Sequence, residues 1–388
     1  MRLLYSTHYL YPLRGGASRS IHGLLAKLAV DHEVHVIYPG IHDADGETDG
    51  IHTHMRGSVV QTPQSYFSKL WAWLGATAWK RTLTEFVARS KPDVLLTSME
   101  YAAPSVEVAK AAGIPSILFI HDYCHFCPDG FINGTDCSRR CWSCAPRVNP
   151  TVYNCFKHVQ DLLQHPFTKM LIDWHERAIT GANLVVANSH YVAELTKRWY
   201  AVDTRVIYPL IDLSRAVAES RGDYITFVNP LPHKGVRVFT EIVDRMRDRA
   251  FLCVGGMPPL SRDRNAFQRL SNLNYLEWVS DVKRVYSETS ILLVPSIWPE
   301  PFGVVCVEAM ASGIPCVVSD SGALPEVVGS AGLVVGDVFD IDAWVEAISR
   351  LDDQERYEGY AAEARKRAIQ FDPQRQYEAF KDLLATLI

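Results

Sequence analysis

The sequence predicts an α/β fold in two domains, on three observations. Short apolar runs of strand length alternate with stretches of helical length, the pattern of a parallel sheet covered by helices. The chain has 388 residues, enough for two domains of ordinary size. Pro209 and the polar residues 212–222 read as a linker between them.

In the first half, a strand at 2–7 leads through a loop ending in Gly15-Gly16 to a helix from Ser18 to about Val30, then to a strand at 33–38. Such a strand–Gly loop–helix unit lets backbone approach a ligand at the carboxyl end of a sheet, although the full G-x-G-x-x-G spacing is absent. The stretch 42–50 is polar, so Asp43-Ala44-Asp45 reads as part of a solvated loop rather than a metal-binding D-x-D site. Residues 65–87 form helical segments carrying Trp71, Trp73, Leu74 and Trp79. These aromatics pack on the domain, line a groove or touch a membrane surface. A strand at 94–97, a helix at 105–112 and a strand at 116–120 continue the alternation, and His121-Asp122 follows at a position where such sheets bind ligands. A long helix at about 168–180, a strand at 184–187, a helix to about Tyr200 and a strand at 206–208 complete this half.

The second half opens with a strand at 224–228, the loop Asn229-Pro230-Leu231-Pro232-His233-Lys234-Gly235 and a helix. Strands at 251–254 and 275–277 follow, the latter running into Trp278-Val279-Ser280-Asp281 and another helix. The stretch 294–328 organises the rest. A buried strand at 291–294 enters a loop through Trp298, Pro299, Glu300, Pro301, Phe302 and Gly303. A helix from about Val304 to Ser312 ends at Gly313, where a left-handed residue belongs. A strand at 314–319 and the loop Asp320-Ser321-Gly322 precede a helix with Pro325 in its first turn. Asp340-Ile341-Asp342 starts the first of three closing helices, at 342–351, 355–370 and 374–387.

Glu300 lies in the loop and Glu308 in a helix that is otherwise apolar or small. A carboxylate there is costly unless it is paired or binds something. Sugar hydroxyls are donors that a carboxylate accepts strongly, and the N–H groups of a helix start suit a phosphate.

Glu300-Pro301-Phe302-Gly303, Glu308-Ala309, Gly313-Ile314-Pro315 and Pro325-Glu326-Val327-Val328 together resemble the E-x7-E region of retaining, nucleotide-sugar-dependent glycosyltransferases of family 4. The resemblance implies the GT-B fold, two Rossmann-like domains facing across a cleft. It implies an acceptor domain at 1–209 with a Cys-rich insertion at 123–158, a nucleotide-sugar donor domain at 210–370, and a helix at 371–388 that crosses back to the first domain. It implies a donor site of Gly15, Gly16, Asn229, Lys234, Val279, Glu300, Pro301, Phe302, Gly303, Val304 and Glu308. His121 stands near the donor sugar, Lys234 faces the diphosphate, and Val279 flanks the base. At Asn229 the family usually has Arg, so the two-cation clamp on the diphosphate is incomplete, with His233 or Arg237 as compensating groups.

Six of the nine cysteines fall between Cys124 and Cys155. Cys124 and Cys127 with Cys141 and Cys144 have the spacing of two zinc knuckles, and Cys127, Cys137, Cys141 and Cys144 form another quartet. Insertions in some family-4 enzymes favour the second quartet as a structural zinc site. Free thiols or disulfides are the alternatives.

The net charge of −5 argues against a general nucleic-acid surface. No run approaches a membrane span and no signal peptide is visible, so the expectation is a cytoplasmic protein, peripheral at a membrane at most. The expected activity is retaining transfer of a sugar from a nucleotide-diphosphate sugar to an acceptor hydroxyl, in glycan, glycolipid or natural-product synthesis, without a catalytic metal. The rivals are a sugar-phosphate synthase or phosphorylase of the same fold and a non-catalytic scaffold.

Overall fold

A computed structural model of the chain describes residues 1–8, 16–57, 68–127, 155–218, 222–255, 265, 267–277, 279 and 281–387. They divide into two units, one of Met1–Pro209 with the residues from Tyr377 on, the other Leu210–Gln376.

The first unit is built on strands β1 (Arg2–Ser6), β2 (Glu33–Gly40), β3 (Ala44–Thr48), β4 (Ile51–Gly57), β5 (Val94–Ser98), β6 (Ser116–Ile120), β7 (Leu184–Ala187) and β8 (Arg205–Val206). Their order is β3-β4-β2-β1-β5-β6-β7-β8. Neighbours run parallel except β3, which pairs antiparallel with β4. Strands β5 and β6 are buried at every residue, as a sheet covered on both faces requires. Helices α1 (Gly16–Leu28), α2 (Ser68–Ser90), α3 (Ala102–Ala112), α4 (Cys155–Gly181) and α5 (His190–Tyr200) connect them. Trp79, Leu83 and Phe86 of α2 pack with Leu4, Ile37, Leu95 and Val108.

One local expectation changes here, and one open alternative narrows. The polar stretch around Asp43 is not a plain loop, because β3 and β4 form a hairpin with Asp49 and Gly50 at positive φ at its turn. Four of the five β3 residues are exposed, so the strand carries no apolar alternation to betray it. Asp45 accepts hydrogen bonds from His54 at 2.9 Å and Arg56 at 2.7 Å, which occupies the carboxylate with its own neighbours. Of the aromatics on α2, Trp79 is a core residue. It is fully buried, donates its indole N–H to Ser6 Oγ at 3.0 Å and stacks on Tyr101.

The second unit has six parallel strands, β9 (Tyr224–Val228), β10 (Phe251–Val254), β11 (Leu273–Leu276), β12 (Thr289–Val294), β13 (Cys316–Ser319) and β14 (Gly332–Val335). Their order is β11-β10-β9-β12-β13-β14. The helices are α6 (Val236–Arg245), α7 (Val282–Ser287), α8 (Val304–Ala311), α9 (Leu324–Val328), α10 (Ile341–Ser349), α11 (Gln354–Ala368) and α12 (Pro373–Ala385). On α6 the apolar positions Val236, Phe239, Ile242 and Val243 fall on one helical stripe and pack into one core with Phe227, Phe251 and Trp344. Strand order places a switch point in each sheet, where the chain moves outward on one side of a strand and later returns on the other. It lies between β1 and β5 in the first unit and between β9 and β12 in the second. Loops leaving the carboxyl ends of such strands bound a crevice in open α/β sheets.

The last helix, α12, contributes to the first unit from Tyr377 on. There Tyr377 donates to the carbonyl of Lys27 at 3.2 Å, and Phe380 lies 5.5 Å from the ring of Phe119.

Candidate active site

The loops after β9 and β12 meet at the switch point of the second sheet. After β9, Asn229 adopts φ 67°, a left-handed conformation that Asn tolerates better than most residues, and donates its N–H to Val254. A single 3-10 turn, Pro232–Lys234, is closed by Gly235 at φ 85°. A Cβ on Gly235 would lie 1.7 Å from the carbonyl oxygen of Pro295, so only glycine lets these loops approach. The carbonyl of His233 accepts the N–H groups of Ile297 at 3.0 Å and Trp298 at 3.2 Å. The turn that carries Lys234 is therefore bonded directly to the loop that carries Glu300.

Glu300 is 5% exposed. The Lys234 ammonium lies 2.6 Å from its Oε1 and 2.7 Å from its Oε2, and Ser296 Oγ also donates to Oε1. The same ammonium sits 5.1 Å from the centroid of the Trp298 ring, within cation–π range. The His233 ring meets Trp298 edge-on at 5.0 Å. Burial, and then the charge on Lys234, lower the His233 pKa, which keeps that imidazole neutral at neutral pH. Asn229 itself brings no charge to this cluster, and Lys234 does.

The backbone of Glu300 is fixed as well. It forms a parallel bridge to Gly322, with Ala323 N–H donating to Glu300 O at 2.8 Å, and Ser321 Oγ donating to Trp298 O at 2.8 Å. Gly322 has φ 67°, and a Cβ there would stand 2.3 Å from Glu300 O. Gly303, at φ 102°, then turns the chain into α8, which Val304 opens. Phe302 is buried and its ring meets Phe371 edge-on at 5.5 Å, so it anchors the loop in the core.

Glu308, four residues into α8, is 4% exposed and accepts the hydroxyl of Tyr286 at 2.9 Å. Burial and then the charge of Glu308 push the Tyr286 hydroxyl well up, which keeps it a donor. Val279 is half-buried and packs with Leu252, Val254 and Val285.

In the first unit, Gly16 is the first residue of α1, while Gly15 lies outside the described residues. His121 directly follows β6, and its ring stacks on Phe119 with an interplanar angle of 5°. Its Nε2 is buried with no hydrogen-bond partner among the described residues. Burial lowers its pKa to about 4, so the ring is neutral. His121 lines a pocket with Tyr5, Thr7, Ser18, Ser98 and Met99. Met99 adopts φ 60° at the end of β5, an uncommon conformation for a residue with a side chain. In the same unit, His125 and His175 face each other through Nδ1 atoms 3.0 Å apart, both rings buried.

The structure thus brings Lys234 and Glu300 into direct contact and holds Glu308 through a different partner. Sequence reasoning missed Ser296 and Tyr286, because a hydroxyl that reaches a carboxylate through a loop or from another helix leaves no periodic signal. Of the cysteine quartet, Cys137, Cys141 and Cys144 lie outside the described residues, and Cys127 is half-buried. Among the described residues, no three His, Cys, Asp or Glu side chains are grouped to hold a metal ion. No helix among them is long and apolar enough to cross a membrane.

Solved structures share this architecture over the whole chain. Sucrose-phosphate synthase from Thermosynechococcus elongatus superposes with a TM-score of 0.73 at 16% identity, covering 100% of this chain and 99% of that one. HepE from Anabaena, solved in complex with UDP-glucose, gives 0.69 at 17% identity, with 100% of both chains covered. At that identity the likeness establishes the fold, which is GT-B. In sequence, a D-inositol 3-phosphate glycosyltransferase of Actinosynnema mirum is 29% identical over 223 residues, 48% of this chain and 53% of that protein. An alpha-maltose-1-phosphate synthase of Mycolicibacterium smegmatis is 28% identical over 245 residues, 51% of this chain and 61% of its own length. The chain thus spans little more than half the length of these curated relatives. The family model for glycosyl transferases group 1 matches residues 222–354, the stretch that holds Lys234, Glu300 and Glu308. The model for Glycosyltransferase Family 4 matches residues 14–215, more than half of the sequence. The chain belongs to glycosyltransferase family 4.

Proposed function

We propose that the protein transfers a sugar from a nucleoside-diphosphate sugar to an acceptor hydroxyl with retention of anomeric configuration. The observation that carries the proposal is the buried Lys234–Glu300 pair at the switch point of the second sheet. A buried ion pair is weak evidence of stability, since two charges must be desolvated to make it. It suits a site where the ammonium meets phosphate and the carboxylate meets sugar hydroxyls. Family membership supports the reading, as does a relative in fold whose structure contains UDP-glucose.

In this reading Lys234 and the N–H groups at the start of α8 bind the diphosphate. Glu300 orients the donor sugar and Glu308 accepts the ribose hydroxyls. His121, neutral at working pH, offers a polar ring atom to the sugar. Gly15, Gly16, Val304 and Pro301 shape the phosphate site, and Val279 flanks the base. The bond from the anomeric carbon to the phosphate oxygen breaks as the bond to the acceptor oxygen forms on the same face. The acceptor proton passes to the departing phosphate, which acts as the base. Lys234 and the helix start neutralise the charge on the leaving group in the role a metal would otherwise fill.

The acceptor is a sugar, a lipid-linked sugar or a small hydroxylated molecule bound by the first unit. A structural zinc on Cys127, Cys137, Cys141 and Cys144 would staple the segment between β6 and α4. Elemental analysis of protein purified without added metal then finds about one zinc per chain. Active, reduced protein without zinc rejects that site.

The test of the function is a mass-spectrometric screen of UDP-, GDP- and ADP-sugars for donor hydrolysis and transfer. NMR of the product then reports anomeric configuration. One donor is expected to be consumed with retention and without a requirement for Mg²⁺ or Mn²⁺. An inverted product, a strict metal requirement, or consumption of inorganic phosphate refutes the proposal.

A further inference from the structure

The two oxygens of Glu300 are not equivalent. Oε1 accepts from both the Lys234 ammonium and the Ser296 hydroxyl, whereas Oε2 accepts only from Lys234 among the described residues. Ser296 is fully buried, and it is tied down at its other end. Its carbonyl accepts the hydroxyl of Ser319 at 2.7 Å, and that hydroxyl comes from the end of the neighbouring strand β13. The chain Ser319–Ser296–Glu300 runs from the sheet into the site without passing through Lys234.

We infer that Ser296 is a positioning residue, whose hydroxyl holds Glu300 Oε1 in place while Lys234 is drawn to the donor diphosphate and Oε2 is released to the sugar. The inference rests on the function proposed above. Its logic is one of competition. A single ammonium that now serves both carboxylate oxygens must share its protons once a doubly charged phosphate group arrives. A carboxylate at this depth needs another donor or it will turn toward whatever polar group is nearest. Ser296 supplies that donor from a position the ligand cannot reach. Each carboxylate oxygen has about two lone-pair directions, so Oε2, with one donor, has room for a hydroxyl. Ser296 thus selects which oxygen works on the sugar and fixes its direction.

The separation of roles makes the inference testable. Removing Ser296 should leave the phosphate site intact and blur the sugar end. The full-length chain carrying Ser296→Ala, Ser296→Thr or Ser296→Cys is compared with wild type, using the UDP-, GDP- or ADP-sugar that wild type turns over and the matching free nucleoside diphosphate. The hydroxyl donates to a charged group, so its loss should lower kcat roughly ten- to a hundredfold. The Kd of the free diphosphate should stay within about twofold of wild type, because that ligand has no sugar for Glu300 to meet. Ser296→Thr, which keeps the hydroxyl, should restore most of kcat, and Ser296→Cys, with a weaker donor, should fall between. A merely structural residue would weaken diphosphate binding and kcat together, and Thr in a packed site would not rescue. That pattern, or a Ser296→Ala enzyme with unchanged kcat, overturns the inference. If Ser296→Ala does not fold, the ordering of Thr above Cys in kcat at equal diphosphate affinity decides, and equal kcat for the two rejects it. A wild-type chain that turns over none of these donors refutes the functional reading itself, and the inference falls with it.

Discussion

Lys234→Ala separates the structural from the chemical role of the buried pair. Lys234 and Glu300 side chains are 20% and 7% exposed, and the ammonium contacts both carboxylate oxygens. Deleting one member of a buried pair strands the other, at about 3–5 kcal/mol in well-enclosed cases. Here Ser296 still donates to Glu300 and the lysine end is part-exposed, so the cost falls to the bottom of that range or just under it, roughly 2–3 kcal/mol. At about 2–4 °C per kcal/mol for a unit of this size, the transition of the second unit should fall by roughly 4–12 °C in calorimetry. Glu300→Gln removes the stranded charge, so the double variant Lys234→Ala/Glu300→Gln should recover much of that loss. Turnover should not recover with it. Lys234→Ala should lower kcat by roughly 10²–10³, the usual effect of losing one group that stabilises developing charge. A double variant whose stability loss is the sum of the two single losses would show that the ion pair does not couple these residues, and the account of the site would be wrong.

Gly322→Ala should damage both fold and activity, because a Cβ would stand 2.3 Å from Glu300 O at a φ of 67° that alanine resists. Normal thermal stability and turnover in that variant would refute the bridge. Glu308→Ala should weaken donor binding roughly ten- to a hundredfold, the value of a charged group's hydrogen bond to a hydroxyl, and unchanged calorimetric affinity would remove Glu308 from the site. The first unit should lose stability on acidification. Burial lowers the pKa of His175 to about 4, against 6.5 when unfolded, with Glu100 pulling the other way. A lowered folded-state pKa means its contribution is whole above pH 6.5 and lost progressively as pH falls to about 4. At about 1.4 kcal/mol per pKa unit that amounts to roughly 3 kcal/mol, and His121 acts in the same direction. A urea midpoint that stays flat between pH 7 and pH 4.5 would contradict the burial of these rings.

Much of the fold is legible in the sequence because its strands are buried on both faces. Runs such as 291–294 and 316–318 have no polar interruption, and a stretch of helical length separates them. Strand β3 was not legible for the opposite reason. It is an exposed edge strand whose residues alternate nothing, and only pairing with β4 defines it. The residues Lys234 and Glu300 were legible as candidates, each assigned to its own part of a ligand. That they bond to each other was not, because they stand 66 positions apart and only the strand order brings their loops together. The same holds for His233. Its sequence position beside Lys234 marked it as a candidate for the diphosphate, but nothing in the sequence shows that its carbonyl holds the Trp298 loop.

The allocation of α12 to the first unit bears on the order in which this protein comes into being. Strand β8 ends at Val206, so the whole sheet of the first unit has been synthesised before the second unit begins. Its covering by Phe380 cannot occur until the second unit has been made, and Phe380 is fully buried against residues such as Phe119 on a central strand. At a synthesis rate of about 5–20 residues per second, the intervening stretch takes on the order of 10–30 s. Throughout that interval the nascent first unit presents an uncovered apolar surface. The second unit must fold in its presence, and a chaperone or a neighbouring nascent chain has its opportunity then. The last helix can therefore cover the first unit only after the rest of the chain has been made.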